Sequence, residues 1–125
     1  MKGSIATDNN GLSLYGKLRV DNNGIISLGD GSLDIRVSLV YYGLTPVLEI
    51  ADNGILQVNS QIRRTTNSLA GSLKYRQTGG TLSIYGRQLV YQRAKLEVLN
   101  TGSEFTMSGG SINILRGGGT TFGDL

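Results

Sequence analysis

A glycine-bearing turn followed by two apolar residues with one residue between them recurs five times along this chain. The pairs are Leu12/Leu14, Leu33/Ile35, Leu56/Val58, Leu82/Ile84 and Phe105/Met107. The turn glycines are Gly11, Gly31, Gly54, Gly80 and Gly102. The first members of successive pairs recur at a near-constant interval. A period of this kind is the mark of a solenoid, in which each repeat buries its apolar side only by stacking on its neighbours.

The apolar residues alternate with polar ones over short stretches, which is the strand period rather than the helical one. Three such series can be followed. The first runs through Ile26/Leu28, Leu48/Ile50, Leu73/Tyr75 and Leu96/Val98, and the second is the glycine-led series above. The third runs through Leu18/Val20, Val37/Leu39, Ile62, Leu89 and Ile112/Ile114. The turns between the first two are rich in Asn, Asp and Gly, the residues that tolerate a left-handed backbone. The expected fold is all-β: a parallel β-helix of about five coils of 21–27 residues, each with three short strands. An internal match, Leu12–Lys17 with Leu82–Arg87, spans three coils on this reading. The competing architecture is an antiparallel sandwich, with Asn10-Gly11, Asn23-Gly24 and Asn53-Gly54 as hairpin turns.

Residues 1–125 read as a single module. Its 38% apolar content suits a narrow column. There is no cysteine and no histidine, so disulfides, thiolate metal sites and the commonest general base are excluded. No apolar run is long enough to span a membrane, so no membrane insertion is expected. A net charge of +3 does not call for nucleic acid. The N-terminal segment lacks the apolar core of a secretion signal, and the C-terminal segment reads as a coil that stops. The chain is therefore expected to be a segment of a longer one, or a subunit that stacks on others.

Chemistry-bearing patterns are sparse. Gly11–Lys17 fits GxxxxGK, but Leu18 stands where a magnesium-binding hydroxyl is needed. Pairs such as Asp30/Asp34, Asp52/Glu49 and Glu97/Glu104 give no compact two-carboxylate motif of the glycosidase kind. No cofactor or metal centre is expected. The nearest approach to a calcium site is Asp8, Asp30 and Asp52, which recur at equal spacing in turn segments. Between Asp52 and Glu97 there are seven basic residues and no acidic one. With Arg36 and the interleaved tyrosines, this region supplies the candidate ligand residues: Arg36, Arg63, Arg64, Arg87, Arg93, Tyr85 and Tyr91. Arginine with tyrosine suits an anionic polysaccharide or surface glycan.

The segments Thr78–Gly86 and Glu104–Ile114 resemble the repeats of right-handed parallel β-helices. They are similar to those of large secreted or surface-anchored bacterial proteins, especially adhesin-like proteins of Bacteroidetes-type bacteria. The resemblance is strongest from Leu73 onward. It implies an extracellular or cell-surface location and a non-catalytic structural or adhesive role as a rigid stalk, with neighbouring coils or other copies as partners. Two other roles stay open at this point. One is a filament subunit that stacks end to end; the other is a fragment of a carbohydrate-active lyase or hydrolase. Pectin lyases and polygalacturonases of this fold carry aspartate clusters beside basic residues, which this chain lacks.

Overall fold

The computed structural model describes residues 5–8, 11–28, 38–42, 45–64, 71–86 and 94–115. Ten strands follow one another: β1 (Ile5–Asp8), β2 (Gly11–Leu14), β3 (Lys17–Val20), β4 (Ile25–Leu28), β5 (Ser38–Tyr41), β6 (Val47–Ile50), β7 (Ile55–Val58), β8 (Ile62–Arg64), β9 (Lys74–Ile84) and β10 (Glu104–Ile114). They form two curled sheets. One has the order β1-β2-β5-β8; the other runs β3-β6-β9-β7-β4, with β10 laid on β9. Every pairing is parallel except β1 with β2.

Alternation of apolar and polar residues shapes β6 and β7. In Val47-Leu48-Glu49-Ile50 and Ile55-Leu56-Gln57-Val58 every second side chain is buried and the others are half-exposed. The buried set includes Leu14, Leu18, Leu39, Leu48, Leu56 and Leu82 in one continuous core. Removing this apolar surface from water is the main stabilising term.

Paired residues on the six-stranded sheet mostly lie further apart in sequence than the glycine turns suggest. Lys17 opposes Val47, Val47 opposes Lys74 and Lys74 opposes Glu104, while Ile55 opposes Thr81. This corrects the register expected from sequence. Leu56 does oppose Leu82, but Leu82 opposes Ile112, Phe105 opposes Tyr75, and Leu12 opposes Leu39 in the other sheet. Within the match between Leu12–Lys17 and Leu82–Arg87, Leu12–Leu14 and Leu82–Ile84 therefore belong to strands of different sheets. The reason is that a glycine turn followed by an apolar pair precedes strands on more than one side of the molecule. Gly11 opens β2, Gly54 and Gly80 precede Ile55 and Thr81 in one strand stack, and Gly102 precedes β10 in another. Leu33, Val37, Leu89 and Gly31 lie outside the described residues.

The turn after β3 shows why parallel pairing wins over a hairpin. Asn22 and Asn23 both take left-handed backbones (φ 48° and 64°), and the Gly24 N–H donates to the Asp21 carbonyl at 2.7 Å. Locally this is hairpin geometry. Yet β3 and β4 pair with β6 and β7, not with each other. The same corner recurs one layer on at Ala51–Gly54, and the two stack through their asparagines. The Asn23 N–H donates to Asn53 Oδ1 at 2.7 Å, and Asn53 Nδ2 donates to Asn23 Oδ1. In β9 and β10 the corner is tighter, so each strand bends through it without a break. Gly80 (φ 67°) and Gly110 (φ 83°) make that possible. A Cβ on Gly80 would sit 2.2 Å from the Gly54 carbonyl oxygen, and one on Gly110 would sit 2.4 Å from that of Gly79. Among the described residues, antiparallel pairing of consecutive strands is confined to β1 and β2.

The two ends of the six-stranded sheet differ. Of the inward residues of β3 and β4, Leu18, Val20 and Leu28 are buried and Ile26 is half-buried. On β10 Ile112 and Ile114 are half-buried, while Phe105 is 49% exposed and Met107 40%.

Candidate functional site

The outer face of β3, β6, β9 and β10 carries a ladder of charge. Alternation puts Lys17, Arg19, Glu49, Lys74, Arg76 and Glu104 on that side, while their strand neighbours point into the core. Glu49 accepts from Lys17 and Arg19, and Arg19 Nε reaches back to Asp21 Oδ2 at 2.6 Å. Lys74 Nζ lies 2.9 Å from Glu104 Oε1, with Arg76 4.0 Å from the other oxygen. The hydrogen bond from Lys17, and then the charge of Arg19, hold the Glu49 carboxyl below its ordinary value. Lys74 does the same for Glu104. The hydrogen bond to Asp21 raises Arg19. The ladder is not legible from the sequence, because the charges repeat at the interval from Arg19 to Glu49, which is longer than the one the glycine turns suggest.

A second charged group lies inside. Ile62 of β8 bridges Leu96: its N–H donates to the Lys95 carbonyl at 2.8 Å, and its own carbonyl accepts from Glu97 at 2.9 Å. This brings Arg64 over Glu97. The Arg64 N–H donates to Glu97 Oε2 at 3.1 Å, and its guanidinium is 3.5 Å from the same oxygen. Arg64 Nη1 donates to Asn100 Oδ1 at 2.9 Å, and the Tyr41 hydroxyl donates to the Glu97 carbonyl at 3.0 Å. Arg63, Arg64, Lys95 and Glu97 are all buried. Two of the candidate ligand arginines are thus committed to internal contacts: Arg63 Nη1 also donates to the Arg64 carbonyl at 3.2 Å.

Tyr85 is half-buried just beyond β9, its N–H bonded to the Val58 carbonyl at 2.9 Å. Arg36, Arg87, Arg93 and Tyr91 lie outside the described residues, as does Asp30. Asp8 ends β1 in the four-stranded sheet, whereas Asp52 (φ 53°) stands exposed in the corner between β6 and β7. In the next strand pair the residue aligned with Asp52 is Asn22, so Asp8 and Asp52 do not share a corner. Among the described residues no group of three His, Cys, Asp or Glu side chains is placed to hold a metal ion. Among them, too, no helix is long and apolar enough to cross a membrane. Of the turn glycines, Gly54, Gly80 and Gly102 occupy bends, and Gly11 begins β2 after the hairpin.

Two surface features complete the inventory. Tyr15, exposed, stacks on Tyr42 with ring centroids 5.0 Å apart. At the β10 end, Leu96, Val98, Leu99 and Phe105 line an apolar recess of about 290 Å³, and the Phe105 ring stacks on Tyr75 at 5.0 Å.

Comparison with family models, with curated proteins and with solved structures finds no match to this chain.

Proposed function

We propose that the chain is a right-handed parallel β-helix segment that serves as a non-catalytic structural or adhesive module of an extracellular or cell-surface bacterial protein. On this reading β2, β3 and β4 form one turn, and β5, β6 and β7 form the next. A turn taken from Lys17 to Val47, or from Ile25 to Ile55, is longer than the coil read from sequence. Right-handed crossover between parallel strands is the near-universal rule.

The observation that carries the structural role is the use made of charge. The ion pairs across the described residues join strand to strand at about one turn's spacing: Arg19 to Glu49, Arg64 to Glu97 and Lys74 to Glu104. They tie layers together rather than converge on a cleft. The exposed pairs, Arg19 with Glu49 and Lys74 with Glu104, are individually worth little, about 0.2–1 kcal/mol each, but they favour the register that apolar residues alone leave open.

The test is to incubate the pure protein with soluble anionic polysaccharides, pectate among them, and to follow polymer length and retention on glycan-coated beads. Unchanged polymer length is expected, with retention where the adhesive role applies. Release of oligosaccharides would remove the non-catalytic reading in favour of a lyase or hydrolase.

A further inference from the structure

We infer that the exposed edge of β10 is a self-complementary surface that pairs two copies of this chain tail to tail. The inference rests on strand register and side-chain exposure and goes beyond the surface role proposed above.

Among the described residues β3 and β4, like β10, have a strand on one side only, but their inward Leu18, Val20 and Leu28 are buried. At the other end, among the described residues, β10 pairs with β9 alone, and Phe105, Met107, Leu99 and Leu115 are exposed. A long unpaired edge with apolar side chains is a template for another strand.

The sequence of β10 suits a second copy of itself. Take a two-fold axis through the corner, between Gly109 and Gly110. Antiparallel pairing then sets Phe105 opposite Ile114 of the partner copy, Met107 opposite Ile112, Thr106 opposite Asn113 and Ser108 opposite Ser111. Facing agrees throughout. Phe105, Met107, Ile112 and Ile114 oppose the buried Tyr75, Gln77, Leu82 and Ile84 and so point inward; Thr106 and Asn113 point outward. The bend falls on the bend, because the glycine corner lies on the axis.

Hydrogen-bond phase agrees as well. The N–H groups of Glu104 and Leu115 donate to Leu73 and Ile84, toward β9. Alternation turns the backbone groups of Phe105, Met107, Ile112 and Ile114 to the free edge. These are the residues that the two-fold register makes into hydrogen-bonded pairs. Charge does not oppose the contact: the only charged residue in β10, Glu104, is drawn back to Lys74 and Arg76 of its own chain. Burying Phe105 and Met107 supplies the apolar anchor such interfaces need.

Sedimentation of the 125-residue chain over a wide concentration range should show a monomer–dimer equilibrium. Met107→Lys should raise the dissociation constant at least about tenfold, with an unchanged circular dichroism spectrum. The register has its own test, independent of that variant. A mixture of Thr106→Cys and Asn113→Cys proteins should form a disulfide-linked pair under oxidation, while either protein alone should not. A chain that stays monomeric at every concentration overturns the proposal. So does cross-linking of Thr106→Cys alone. Dimerisation that appears only after deletion of residues 116–125 would overturn it too, by showing that the chain covers its own end. A monomer would leave the non-catalytic role standing, whereas polysaccharide cleavage would remove that role and leave the dimer.

Discussion

Gln77 is the least expected residue in the core. It occupies an inward position between Ile50 and Met107 and is fully buried. A polar side chain is tolerated there only because its groups are paired. The Tyr75 hydroxyl donates to its Oε1 at 2.6 Å, and its Nε2 serves the carbonyls of Gly79, Gly80 and Ser111 at 3.0–3.2 Å. It thereby satisfies the corner carbonyls that the tight glycine bend turns inward. Gln77→Leu should cost about 1–3 kcal/mol in urea unfolding, because the Tyr75 hydroxyl loses its acceptor and the corner carbonyls lose their donor. Tyr75→Phe combined with Gln77→Leu should cost less than the sum of the two. Burial also pushes the Tyr75 phenol well above its ordinary value of 10.0. The folded state then holds a proton that the unfolded state releases, so stability falls as pH rises above about 10. Tyr75→Phe should flatten that alkaline slope. Alternation in Lys74-Tyr75-Arg76-Gln77 made the inward position legible in the sequence. The pairing was not, since Ser111 belongs to a different strand, β10, and only the register brings it to Gln77.

Strands and corners were legible to different degrees. Alternation located every β6- and β7-like strand, because a half-buried strand cannot hide its period. Register was another matter. The corner that precedes Ile55 and Thr81 looks, in sequence, like the turns that precede β2 and β10, so a single ladder through Leu12, Leu56, Leu82 and Phe105 seemed continuous. The distinguishing information lies between strands: the Asn23–Asn53 pair, and the close approach of Gly80 to Gly54. Gly80→Ala is expected to cost at least about 2 kcal/mol, the sum of a left-handed backbone and a contact with a neighbouring backbone that cannot move aside. Asn53→Ala should cost less, about 1 kcal/mol, since it removes hydrogen bonds at an exposed corner. Thermal unfolding of the two variants in parallel checks the order. On the outer face, Glu49→Gln should destabilise by up to about 1 kcal/mol at low salt. The lowered carboxyl value means that this stability is present above the ordinary 4.5 and fades as pH falls through the folded-state value. The difference from wild type should therefore vanish in acid, and shrink in high salt.

At the scale of the whole molecule, on the solenoid reading proposed above, stacked layers contact only their neighbours, so stability is distributed by position. β6, β7 and β9 have strands on both sides, whereas among the described residues β3, β4 and β10 have one on a single side. The sequence carried part of this, because the apolar alternation through Ile112 and Ile114 marks β10 as a strand. It did not show that β1 runs antiparallel, since no residue type announces a direction. The asymmetry has a measurable consequence. In dilute solution, amide exchange should be slowest in β6 and the first half of β9, where hydrogen bonds are flanked by layers above and below. It should be fastest in β10, and within β10 it should alternate. The amides of Glu104, Thr106 and Asn113 face β9 and exchange slowly, whereas those of Phe105, Met107, Ile112 and Ile114 face outward and exchange fast. Uniform protection across β6, β9 and β10 would mean that the molecule opens as one unit, and would sink the layered description. If the alternation in β10 also fades as concentration rises, the free edge has found its partner, and the four fast amides are the ones that the two-fold register pairs.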